Sequence, residues 1–73
     1  MTSKTLDTTG LKCPQPVLKI TAKMRELTAG DVLEVKADCE TFEEDIRKWC
    51  KRMNKILISL INNRGVCVAQ IRF

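Results

Sequence analysis

The chain has 73 residues, of which 44% are hydrophobic and 30% charged, with a net charge of +4. This is the length of one domain, spanning residues 1–73, and a chain so short withdraws only ~60% of its unfolded surface from water. The composition is that of a globular domain and excludes a disordered one. No apolar run approaches the ~20 residues of a membrane span, and Met1-Thr2-Ser3-Lys4 lacks the apolar stretch of a secretion signal. A cytoplasmic protein without membrane contact is expected. With no histidine, the usual acid/base group near neutral pH and the Cys-His and Ser-His dyads are excluded.

The elements follow in chain order. Lys4 to Thr8 reads as a short strand with Leu6 inward, and Gly10 marks a loop. Pro14 and Pro16 suit the first turn of a helix, where a missing N–H costs nothing. Val17, Ile20, Met24 and Leu27 recur at helical spacing, and Gly30 fits the C-cap region beyond them. Val32 to Ala37 alternates, with Leu33, Val35 and Ala37 set against Glu34 and Lys36. Thr41 to Glu44 has the T-x-x-E form of a capping box. It opens a second helix with Phe42, Ile46, Trp49 and Met53 on its apolar face. Ile56 to Ile61 is almost wholly apolar and reads as a buried strand. Asn62 to Gly65 is a turn, and Val66 to Phe73 closes a hairpin.

The order β-α-β-α-β-β predicts a two-layer α/β sandwich (α+β). Its four-stranded mixed sheet would carry two helices on one face, with the first two strands parallel through a right-handed crossover. The opposite sheet face is the weak point, because Ile56 to Ile61 hardly alternates. Partner contact there is compatible with the pattern.

Four cysteines stand at 13, 39, 50 and 67, with no CxxC pair. No metal and no cofactor are expected from that spacing. Without a secretion signal, reduced thiols are the better reading. Cys13 precedes a proline-stiffened helix start, where orphan N–H groups and the positive end of the helix dipole favour a thiolate. Lys12 adds a positive charge. Cys50 and Cys67 fall on apolar faces and read as small core residues. Cys39 follows the second strand, at the same carboxyl edge of the sheet that Cys13 occupies after the first. Helix two also carries Arg47, Lys48, Lys51, Arg52 and Lys55 opposite its apolar face. That is first a solvated face, and secondly a docking surface for an acidic partner. Direct nucleic-acid binding is poorly supported, since the chain has three aromatics and two lie on the core face of this helix.

Leu6-Asp7-Thr8-Thr9-Gly10-Leu11-Lys12-Cys13-Pro14-Gln15-Pro16-Val17 resembles the signature of the TusA/SirA-like sulfur-carrier family: Leu-Asp, two residues, Gly-Leu, one residue, Cys-Pro-x-Pro. The likeness continues through Ala29-Gly30-Asp31-Val32-Leu33 and the acidic start of helix two. It implies the same β-α-β-α-β-β sandwich. It implies that Cys13 carries sulfur as a persulfide, with Asp7 structural or orienting and Gly10, Lys12, Pro14 and Pro16 as supporting motif positions. It further implies a cysteine desulfurase or rhodanese-like protein as sulfur donor and a downstream acceptor protein, serving tRNA thiolation, molybdenum-cofactor assembly or sulfur oxidation. Such a protein is a carrier rather than a stand-alone turnover enzyme. Thr9 replaces an arginine common in the family, and Cys39, Cys50 and Cys67 are not part of the signature. Leu18, one turn beyond Cys13 and off the core stripe, is a candidate docking residue together with Leu11. Two other readings stand beside the carrier: a nucleic-acid-binding or regulatory module, and a thiol-redox protein using Cys13 with Cys39 as a second thiol.

Overall fold

A computed structural model describes residues 3–12 and 15–73. The elements are β1 (Ser3–Asp7), α1 (Gln15–Lys23), β2 (Val32–Ala37), α2 (Phe42–Met53), β3 (Ile56–Asn63) and β4 (Val66–Arg72), with a single 3₁₀ turn, Met24–Glu26, after α1. The sheet order is β1-β2-β4-β3. β1 runs parallel to β2, in register from Ser3 opposite Val32 to Asp7 opposite Lys36. The β2–β4 and β4–β3 pairs are antiparallel. This is the expected four-stranded mixed sheet with two helices.

The core follows from the alternation of β2 and β4. Leu33, Val35 and Ala37 meet Cys67, Ala69 and Ile71 on one face, and Val17, Ile20, Phe42, Ile46, Trp49 and Cys50 pack on them from the helices. Trp49 ties the helices together. Its indole N–H donates to Thr21 Oγ1 at 3.1 Å, and its ring centroid lies 6.1 Å from that of Phe73 at 57°. This tilted geometry suits aromatic quadrupoles.

Four expectations need correction. Helix one does not reach Leu27: it ends at Lys23 and tightens into the 3₁₀ turn, after which Leu27 is extended. Gly30 is therefore no C-cap. It sits in the turn before β2, where the Asp31 carboxylate accepts from the N–H and hydroxyl of Thr28 and the Gly30 amide donates to the Phe73 carbonyl. The capping box does not form. The Thr41 side chain makes no cap hydrogen bond and donates instead to Asp45 Oδ2 at 3.0 Å, while Glu44 pairs with Lys48 at 3.7 Å.

The last correction concerns β3. It is an edge strand, and Ile56, Ile58 and Ile61 are 59%, 49% and 60% exposed. A β-bulge explains the missing alternation. Leu57 faces Ile71 and Ser59 faces Gln70, so Ile58 is the extra residue, and Leu57 and Leu60 both reach the core although three apart. The hairpin closes on Arg64 and Gly65, both at positive φ, as a two-residue turn matched to the twist of the strands requires.

Candidate functional site

The loop after β1 and the loop after β2 lie side by side at the carboxyl edge of the two parallel strands. The Thr8 N–H extends the β1–β2 ladder to the Lys36 carbonyl at 2.7 Å, and the Thr8 hydroxyl donates to that same carbonyl. Thr8 is buried, and it locks the point where the first loop leaves the sheet. Asp7 Oδ1 then accepts the Thr9 N–H at 3.0 Å and the Thr9 hydroxyl at 2.7 Å. These bonds favour the charged carboxylate and hold its pKa below the usual aspartate value, with Lys36 adding a smaller pull. Asp7 thus orders the loop backbone.

Gly10 takes φ +86°, a conformation that any side chain would strain. Open space surrounds its Cα, so backbone conformation rather than crowding calls for glycine. Its amide donates to Asp38 Oδ1 at 2.9 Å, bonding the first loop to the second. Between them opens a groove of ≈500 Å³ lined by Gly10, Leu11 and Lys12 on one side and Asp38, Cys39, Glu40 and Thr41 on the other. Thr8 and Asp38 are structural members of this edge that pattern reading missed. The signal for Asp38 was its position one residue past a clear strand.

Cys13 and Pro14 lie outside the described residues. The chain on either side of them is tied together: the Gln15 amide donates to the Lys12 carbonyl at 2.8 Å. α1 begins at Gln15 with Pro16 and Val17 buried. Leu18 is 55% exposed and lines a hollow with Thr21, Ala22 and Arg25, while the half-buried Leu11 lines the groove.

Cys39 is half-buried, with Sγ 3.8 Å from Thr41 Oγ1, and is disulfide-bonded, which corrects the expectation of a reduced thiol at this position. Cys50 and Cys67 are free and buried. Burial pushes the Cys50 thiol up to about 11, and burial, aided by the charge of Glu43, raises that of Cys67. Neither is a nucleophile at neutral pH. Among the described residues no three Cys, Asp or Glu side chains group to hold a metal, and no helix is long and apolar enough to cross a membrane. The basic residues of α2 partly pair along its own surface, Arg47 with Glu43 at 3.5 Å and Lys48 with Glu44.

Residues 4–72 match the family model described as sulfurtransferase TusA. The chain is 40% identical over 68 residues to a sulfur carrier protein TusA of Pseudomonas entomophila, a match covering 93% of this chain and 85% of that one. A relative from Aquifex aeolicus is 38% identical over 69 residues; the match covers 94% of this chain and 35% of the longer protein. Among solved structures, a SirA-like protein from Desulfitobacterium hafniense superimposes with a TM-score of 0.80 at 27% identity, over 94% of this chain and 95% of that one.

Proposed function

Since the chain belongs to the TusA sulfurtransferase family, we propose that it is a sulfur carrier whose Cys13 accepts sulfur as a persulfide and relays it to an acceptor protein. The observation that carries this reading is the family match over residues 4–72, which contains a Cys-Pro-x-Pro run ending one residue inside α1. The Cys13 thiolate attacks the outer sulfur of a donor persulfide, of the kind borne by a cysteine desulfurase or rhodanese-like protein. The donor's S–S bond breaks, its own thiolate leaves, and Cys13 holds the transferred sulfur until an acceptor thiolate attacks in turn. A helix start two residues on supports the thiolate by its dipole and unpaired amides, and Lys12 adds charge. The open groove and the exposed Leu18 suit docking to another protein; we assign Leu18, with Leu11, to that contact.

The test is intact mass after incubation with a cysteine desulfurase and cysteine. One added sulfur, lost after alkylation of Cys13 and absent from Cys13→Ser, is expected. A wild-type protein that gains no sulfur, or gains it equally in Cys13→Ser, refutes the assignment.

A further inference from the structure

We propose that the free edge of β3 pairs with that of a second copy of this chain, antiparallel about a two-fold axis at Ile61, in a weak and reversible dimer. The two edges of the sheet, β1 and β3, are built differently. β1 has five residues, carries Lys4 and Asp7, and ties Lys4 Nζ to the Glu26 carbonyl at 2.8 Å. A short, charged edge resists pairing with another chain. β3 has eight residues with neither a charge nor a proline among them, and Ile56, Ile58 and Ile61 are 59%, 49% and 60% exposed. Among the described residues no strand lies beyond it.

The register follows from the two ends of the strand. The Ile58 bulge disturbs one end and the Arg64–Gly65 turn closes the other, which leaves Ser59 to Asn63 as the regular stretch and Ile61 as its centre. A two-residue turn makes Asn63 and Val66 a hydrogen-bonded pair, and bonding toward β4 then alternates along the strand. Ile61 therefore bonds to β4, while the N–H and C=O of Leu60 and Asn62 point away from the sheet. With the two-fold at Ile61, Leu60 of each copy exchanges both backbone bonds with Asn62 of the other. The two Ile61 side chains meet in the closer, non-hydrogen-bonded pair, with Cα atoms ~4.5 Å apart. Ser59 faces Asn63 and Arg64 faces Ile58, so no like charges oppose each other. The edge is thus complementary to itself, as an isologous contact requires.

Five paired residues span ~17 Å, and such an edge buries less than the ~1,200 Å² of a standard specific interface. The dimer is therefore transient, with a dissociation constant of order ~10–100 μM. Below that range Ile61 stays open to water. The joined sheet runs β1-β2-β4-β3 in one copy and returns through β3-β4-β2-β1 in the other. The groove between the β1 and β2 loops lies on the far side of each copy and remains open to docking.

Sedimentation of the intact chain at ~0.15 M salt, where repulsion between two chains of net charge +4 is screened, tests the pairing. The mean mass of wild type should rise from one chain toward two between ~5 and ~500 μM. Ile61→Lys sets like charges against each other at the two-fold and should weaken the dimer at least ~10-fold with the circular dichroism spectrum unchanged. Amide exchange read by NMR decides the matter even if that variant fails to fold. In wild type the amides of Leu60 and Asn62 should gain protection at ~500 μM relative to ~5 μM, while that of Ile61, already bonded to β4, should not change. A wild-type chain that stays monomeric, a folded Ile61→Lys that dimerises as well as wild type, or Leu60 and Asn62 amides indifferent to concentration overturns the proposal.

Discussion

The substitution Ile→Thr, made once in β4 and once in β3, separates the two faces of the sheet. Ile71 is fully buried, opposite Leu33 and Leu57, whereas Ile61 is 60% exposed on the outer face opposite Val68. Ile71→Thr removes buried carbon and leaves a hydroxyl in an apolar core. Loss of buried volume costs ~0.5–1.5 kcal/mol on the scale of Ile→Val, and the buried hydroxyl adds ~1–3 kcal/mol, so about 3 kcal/mol is expected. Full burial of an isoleucine is worth ~1.5–3 kcal/mol. Ile61 withdraws only the remaining two-fifths of its surface and threonine keeps part of that, so the cost is ~0.5 kcal/mol. A domain of this length has ~4–11 kcal/mol of stability in total, which makes the first change severe and the second minor. Urea unfolding followed by Trp49 fluorescence measures both, since Trp49 is the single tryptophan and is 1% exposed. With a slope near ~1 kcal/mol/M, the midpoint should fall by ~3 M for Ile71→Thr and by ~0.5 M for Ile61→Thr. Comparable shifts for the two variants would refute the assignment of Ile61 to an open face.

Leu18→Glu should slow sulfur transfer from the desulfurase while shifting stability by no more than ~0.5 kcal/mol, because the side chain is largely exposed; a clear drop in melting temperature would place Leu18 in the core. Native Cys50 should resist iodoacetamide at pH 8 and react only after unfolding, since burial raises its pKa to about 11. The sign for stability follows: the folded thiol titrates above the unfolded one, so this group leaves stability untouched below the unfolded pKa of ~8.5 and lowers it as pH rises from there toward about 11. Thr9→Val should move the Asp7 carboxyl part of the way back toward its ordinary pKa, read by NMR titration, because it removes the hydroxyl bond, the larger of the two, and keeps the backbone N–H bond; an unmoved Asp7 would assign the shift to the backbone bond and Lys36.

Where local pattern and burial coincide, the chain could be read directly. Leu33, Val35 and Ala37 alternate with Glu34 and Lys36 because β2 is an interior strand with one covered face, and its limits emerge as predicted at Val32 and Ala37. The stripe of Phe42, Ile46 and Trp49 likewise needs only helical periodicity. Cys13 stood out from its Cys-Pro-x-Pro run, a covalent pattern independent of packing. The failures arise where a side-chain rotation or distant residues decide the outcome. Thr41 could bond back to its own helix or forward to Asp45, and the difference is one side-chain rotation that the T-x-x-E spacing does not encode. Ile56 to Ile61 is apolar enough for a buried strand, but strand order sets β3 at the edge, and the Ile58 bulge turns what remains of the run half outward. The groove beside Cys39 is the furthest from local rules. It exists because a parallel pairing aligns the ends of β1 and β2, and because Asp38, 28 residues beyond Gly10, supplies the oxygen that holds the two loops together.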